Sequence, residues 1–126
     1  MDDSIKQKYI EAGIIASKVL AHAKSSLKPG ISLLALGESI ESKAVEFGGE
    51  VAFPVNLSLN NVAAHDTPHP NDARTLGEHD LLKVDVGVQV DGYIADCAFS
   101  YSADPSHAKL IEASKAALAA AIKAVA

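Results

Sequence analysis

Asp85 and Asp96 stand eleven positions apart in the run Leu82-Lys83-Val84-Asp85-Val86-Gly87-Val88-Gln89-Val90-Asp91-Gly92-Tyr93-Ile94-Ala95-Asp96-Cys97-Ala98-Phe99. Two alternating apolar segments flank Asp91-Gly92. That dipeptide suits two successive positive-φ positions, so the run predicts a hairpin with a two-residue turn. Such a turn sets Val90 opposite Tyr93, Val88 opposite Ala95, Val86 opposite Cys97 and Val84 opposite Phe99. Those residues make one apolar face. The other face places Asp85 opposite Ala98 and Gly87 opposite Asp96. The two carboxylates are then diagonal neighbours, about 7–8 Å apart at the backbone and within side-chain reach of one point. Gly87, lacking a side chain, leaves room beside Asp96. Like charges so placed repel unless a cation lies between them or one carboxyl is protonated. Spacing alone admits two readings: a solvated acidic sheet face, or oxygen ligands for one or two metal ions. It does not separate a catalytic from a structural metal, and two carboxylates do not complete a site.

A second source of chemistry lies upstream. Val51, Phe53, Val55, Leu57 and Leu59 alternate with small or polar residues and predict a strand. Pro54 within it marks an edge or a bulge. The stretch from Asn60 to Asp80 follows, rich in His, Pro, Asn and Asp. A loop of that length in a compact domain is often functional. It carries His65, His69 and His79. A histidine close to a metal can hydrogen-bond a substrate or shuttle a proton near neutral pH. His69 has no motif behind it. His79 reads as part of a solvated turn, and His22 and His107 as helix-surface residues.

Two helices precede the strand. From about Ser4 to Lys24, Ile5, Tyr9, Ala12, Ala16, Val19 and Ala23 follow the helical period. Pro29-Gly30 punctuates the end. Ser32 is the expected N-cap of a second helix, with Leu33, Leu36, Ile40, Ala44 and Phe47 mostly on one side. Gly48-Gly49 stops it with a residue free to adopt the left-handed conformation. After the hairpin, Asp104-Pro105 opens a third helix, an N-cap before proline at the first position. Ala116 to Ala126 is strongly helical and apolar and ends with no cap, so the chain reads as a fragment or one piece of a longer protein. The fold class is α+β: an antiparallel sheet with a hairpin at about 81–101, covered by two N-terminal helices and one C-terminal helix.

Composition narrows the function. With 126 residues and 48% apolar content the chain has enough material for one modest core. A net charge of -5 argues against nucleic acid as a partner. No apolar run reaches the length of a membrane span. Met1-Asp2-Asp3-Ser4 lacks the basic start of a signal peptide. Cys97, the single cysteine, falls on the apolar hairpin face and excludes an intrachain disulfide. The expected location is cytoplasmic.

Phe53-Pro54, then Asn60-Asn61-Val62-Ala63-Ala64-His65-x-Thr67-Pro68, then Lys83-Val84-Asp85-Val86-Gly87-Val88-x-Val90-Asp91-Gly92-Tyr93-Ile94-Ala95-Asp96 together resemble the type 2 methionine aminopeptidases, the archaeal-type single-domain enzymes most closely. The similarity covers essentially the whole chain, including the Lys28-Pro29-Gly30 turn. The Asp-x-Gly hairpin alone indicates only the wider pita-bread superfamily, with its Xaa-Pro peptidases and creatinase. The run around His65 narrows the resemblance to type 2.

The resemblance implies two divalent ions (Co, Mn, Fe or Zn), with Asp85 a bidentate ligand of one and Asp96 bridging both. It implies that His65 contacts the substrate and stabilises the transition state, and that Phe53 helps to wall the pocket for the methionine side chain. The implied reaction is hydrolytic removal of an N-terminal methionine from peptides or nascent chains when the next residue is small. The family completes its metal site with a histidine and two glutamates from the second half of a pseudo-symmetric fold. Residues 1–126 resemble the first half only. The resemblance therefore implies weak or no metal binding by this chain, no turnover, and self-association or pairing with the missing C-terminal half. Two alternatives are a non-catalytic pita-bread binding module and an Xaa-Pro-type peptidase. Intact Asp85 and Asp96 speak against the first, and the His65 motif against the second.

Overall fold

The computed structural model describes residues 2–125. Helix α1 (Asp3–Ser26) is longer at both ends than the apolar periodicity indicates. Asp2 caps it: its side chain accepts from the Ser4 amide at 2.8 Å, satisfying one of the free N–H groups of the first turn. Helix α2 (Leu33–Glu46) starts at Ser32, whose side chain accepts from Ala35 N. It ends as its glycines require. Gly48 takes φ +93°, and Gly49 N reaches back to Ala44 O at 3.0 Å.

Strands β1 (Glu50–Leu59), β2 (Leu82–Val90) and β3 (Tyr93–Tyr101) form an antiparallel sheet in the order β1-β2-β3. The β2–β3 register is the one the alternation demands, with Val84↔Phe99, Asp85↔Ala98, Val86↔Cys97, Gly87↔Asp96, Val88↔Ala95 and Val90↔Tyr93. Asp91 and Gly92 both have positive φ, +50° and +85°, as a two-residue hairpin turn needs.

The apolar side of the sheet carries the core. Ile15, Ala16, Val19 and Ala23 of α1 and Leu33, Leu36, Ile40 and Ala44 of α2 pack on Val55, Leu57, Leu82, Val84, Val86 and Val88. Truncating a side chain as enclosed as Leu57 typically costs about 2–5 kcal/mol. Cys97 and Phe99 pack against the rim of this cluster, half-buried. Helix α1 lies over β2 and β3, and α2 over β1. The two helices are pinned together by His22, whose Nε2 lies 2.8 Å from Ser39 Oγ. His22 is therefore a half-buried linker and not a free surface residue. Helical periodicity puts it at the edge of the apolar stripe, and only packing against α2 encloses it.

The opposite side of the sheet is the one that carries both aspartates. Asp104 accepts from Ser106 N and opens a short 3-10 turn (Pro105–His107), as its place before proline predicts. Helix α3 (Ala108–Val125) follows, with none of its described residues buried. Leu110, Leu118 and Ile122 are each more than half exposed. The part of the helical reading that reaches Ala126 lies outside the described residues.

Candidate metal centre

The edge strand β1 decides what faces the aspartates. Its pairing with β2 slips twice: Val51↔Val88 is followed by Phe53↔Gly87, and that by Asn56↔Asp85. Each slip inserts one extra residue in β1, which is how a bulge re-aims a side chain. Strict alternation would send Phe53 into the core with Val51 and Val55. The bulges turn it over, onto the face of Gly87, Asp85 and Asp96. A Cβ on Gly87 would collide with the Phe53 ring. The space left by that glycine is therefore filled by Phe53, and not left open beside Asp96 as the hairpin alone indicates. Pro54 sits within the second slip, on an edge strand where its missing N–H breaks no ladder.

The long loop closes the site from the other side. Its neck is tied by Asn60, whose Nδ2 donates to Asp80 Oδ1 at 2.8 Å and whose Oδ1 accepts from Leu81 N at 3.0 Å. Lys83 Nζ donates to Asn60 O at 2.7 Å. Further along, Leu57 N donates to Asp66 O at 2.8 Å and Thr67 Oγ1 to Asn56 Oδ1 at 3.0 Å, laying residues 65–67 along the free edge of β1. His65 adopts φ +63°, a left-handed conformation that non-glycine residues hold only when their surroundings impose it.

The result is an open cleft of about 460 Å³ lined by Phe53, Pro54, Asn56, His65, Thr67, Asp85 and Asp96. All four residues singled out from the sequence, Phe53, His65, Asp85 and Asp96, meet there. Asp85 is the uncomfortable member. Its Oδ1 is buried with no hydrogen-bond partner among the described residues. Burial first, and then the negative charge of Asp96, push its carboxyl above the ordinary value. An orphaned carboxylate oxygen beside a second carboxylate is the chemistry of a hard-cation site. The donor set is partial: among the described residues no group of three or more His, Cys, Asp or Glu side chains is arranged to hold a metal.

Asp85 also borders a second groove, of about 350 Å³, between the sheet and α3, with Ser58, Lys83 and Ser100 on one wall and Ile111, Ser114 and Leu118 on the other. Burial lowers the pKa of Lys83 from its usual value. His69 stays exposed outside the cleft, 3.9 Å from Asp72. His79 Nδ1 pairs with Asp104 Oδ2 at 2.8 Å, and His107 Nδ1 with Ser102 Oγ at 2.9 Å, so both serve the junction with α3 and not the cleft. Asn56 and Thr67 also line the cleft, and the sequence does not single them out. Thr67 sits inside the His65 motif, and Asn56 faces Asp85 only because of the β1 bulges.

A metallopeptidase family M24 model matches residues 7–126. The chain belongs to metallopeptidase family M24. Within that family it is similar to archaeal methionine aminopeptidases. It is 55% identical over 115 residues to the methionine aminopeptidase of Pyrococcus horikoshii, spanning 91% of this chain and 39% of that protein. It is 42% identical over 125 residues to that of Archaeoglobus fulgidus, spanning 99% and 43%. The fold matches the crystal structure of methionine aminopeptidase from Rickettsia prowazekii with a TM-score of 0.79 at 22% identity, over 89% of this chain and 48% of that one. The M24 chain thus spans about two fifths of the length of the curated relatives it matches. The three described helices and the three-stranded antiparallel sheet, with α1 and α2 packed on it, match half of the pita-bread fold. Among the described residues, no helix of this M24 chain is long and apolar enough to cross a membrane.

Proposed function

We propose that residues 1–126 form the N-terminal half of a type 2, dinuclear methionine aminopeptidase and carry its first two metal ligands, Asp85 and Asp96. The observation that carries this reading is the buried, unpartnered Oδ1 of Asp85, set beside Asp96 in the cleft that also holds His65 and Phe53. The archaeal relatives named methionine aminopeptidase support the substrate class.

On this reading each residue has a task. Asp85 and Asp96 hold two divalent ions (Co, Mn, Fe or Zn). Bound there, such ions would supply Lewis acidity, polarising a peptide carbonyl and acidifying water. His65, on the loop at the cleft mouth, hydrogen-bonds the substrate at the scissile peptide. The Phe53 ring, packed over Gly87, walls the pocket for the methionine side chain, and its bulk favours an unbranched apolar group. The substrates are peptides or nascent chains beginning with methionine followed by a small residue, and the setting is the cytoplasm. The remaining ligands, a histidine and two glutamates in the family, would come from a second half-fold. The apolar residues that α3 exposes suit contact with that half or with a second copy.

Calorimetric titration with Co2+ or Mn2+, beside hydrolysis of a Met-Ala-Ser peptide, tests the reading. The expected result is weak binding by the chain, lost in Asp85→Asn and in Asp96→Asn, with no turnover until a second half-fold is supplied. Binding that survives both substitutions removes the two aspartates as ligands. Turnover by the 126-residue chain alone overturns the half-site.

A further inference from the structure

The loop that presents His65 is gripped by a guanidinium. Arg74 Nη1 and Nη2 donate to the two carboxylate oxygens of Asp66 at 2.7 and 2.9 Å, a bidentate pair. Its Nε donates to both oxygens of Asp72, at 3.1 and 3.0 Å, and Nη2 reaches Asp72 Oδ2 at 2.7 Å. The fork is thus filled on two sides by carboxylates. The Asp72 side chain is only 1% exposed. Fixed, planar pairs of this kind carry geometric specificity as well as attraction.

Both ends of the clamp are attached to rigid structure. The Arg74 carbonyl accepts from Leu33 N at 3.0 Å, at the first turn of α2, and Thr75 bridges to Ser32. The Asp66 carbonyl accepts from Leu57 N on β1. His65 is the residue immediately before Asp66, and its left-handed backbone needs outside support. A continuous path therefore runs from α2 through Arg74 and Asp66 to His65.

We propose that Arg74 is a positioning residue: acting through Asp66, it holds His65 at the mouth of the Asp85–Asp96 cleft. The proposal rests on the reading of His65 as the substrate-contacting group. Asp72 has a different task, fixing Arg74 itself. Asp66→Asn therefore frees His65 while leaving the Arg74–Asp72 pair.

Nuclear relaxation of the full 126-residue chain tests this without activity. In the wild type the His65 amide has the order parameter of rigid backbone, about 0.85. In Arg74→Gln and in Asp66→Asn it falls below about 0.6, while Gly87 and Ala98 on the strands keep theirs. Arg74→Gln leaves the enclosed Asp72 carboxylate without its cation. Where that variant does not fold, the double variant Arg74→Gln/Asp72→Asn takes its place. A residue that only stabilised the fold would lower the melting temperature and leave His65 as ordered as its neighbours. That result in folded Arg74→Gln and Asp66→Asn overturns the proposal.

Added Mn2+ supplies the second arm. It is expected to broaden the Gly87 and Ala98 amides and the His65 ring signals in the wild type, and the His65 signals much less in Asp66→Asn. Strand broadening with an untouched His65 ring in the wild type overturns the aim of the clamp. No broadening at all counts against the metal reading, and the order parameters still decide the clamp.

Discussion

The ring of Phe53 lies against the bare backbone of Gly87, in the place a side chain at position 87 would occupy. Their contact joins an edge-strand bulge to the centre of the sheet, and it sets the wall of the cleft that holds Asp85 and Asp96.

Adding a methyl group to Gly87 forces the Phe53 ring or the strand to move. Overpacking of this kind costs about 1–3 kcal/mol. Gly87→Ala should therefore lower stability by that amount in urea denaturation. Phe53→Ala in the same chain should recover most of it, giving a coupling energy well above the few tenths expected of independent sites. Additive effects of the two substitutions would show that the ring does not need the glycine.

Burial, and then the negative charge of Asp96, raise the pKa of the Asp85 carboxyl, so any charge it carries is unfavourably placed. Asp85→Asn removes the charge and keeps the shape. The metal-free variant should melt no lower than the wild type at pH 7, by scanning calorimetry, and higher if the neutral amide pairs with Asn56. With Mn2+ at 100 times its dissociation constant the wild type should gain about 2.7 kcal/mol, and the variant none. A metal-free variant that melts well below the wild type would mean that Asp85 is a structural carboxylate.

Asp72 gives the fold an acid-sensitive anchor. Hydrogen bonds from the Arg74 side chain, and then from the Arg74 amide, hold its carboxyl down at about 2, against 3.8 ordinarily. A carboxyl whose folded value is depressed contributes stability that is present above the unfolded value and is lost as pH falls through the folded one. The contribution should be complete above about pH 4 and gone below about pH 2. Asp72→Asn should accordingly be less stable than the wild type at pH 7, and the gap should close towards pH 2. A gap independent of pH would assign the loss to packing instead.

His79 behaves in the opposite sense. The hydrogen bond to Asp104, and then that residue's charge, raise its pKa above 6.5. A histidine so raised contributes stability that is fully present below the unfolded value and is lost as pH rises through the folded one. Proton titration followed on the imidazole signals should place His79 above 6.5 in the wild type and lower it in Asp104→Asn. An unchanged titration would mean the pair does not persist in solution, which the high exposure of His79 makes a real test.

Local rules settled most of what could be read along the chain. The β2–β3 register follows from a period of two and a turn of two residues, so every partner from Val84↔Phe99 to Val90↔Tyr93 was legible. Ser32, Gly48 and Asp104 marked helix ends because capping uses side chains within a few positions of the group they satisfy. The run around His65, together with the Asp85–Asp96 hairpin, pointed to the family because the chemistry of a site is carried by residue types at short spacing.

What stayed hidden depended on contacts across space. Phe53 sits in a strand that alternates correctly for the core. It turns to the site only because β1 slips twice against β2, and the slip is accommodated by the missing side chain of Gly87. Arg74 reads as one cation in a polar loop. It becomes a clamp when Asp66 and Asp72 converge on its two edges while the Ser32–Leu33 turn holds its backbone. Sequence alone thus determined the candidate site residues and how the hairpin aims two of them. Tertiary structure decided which neighbours surround them, because a bulge and a salt-bridged loop gain their stability only from partners that the chain brings together on folding.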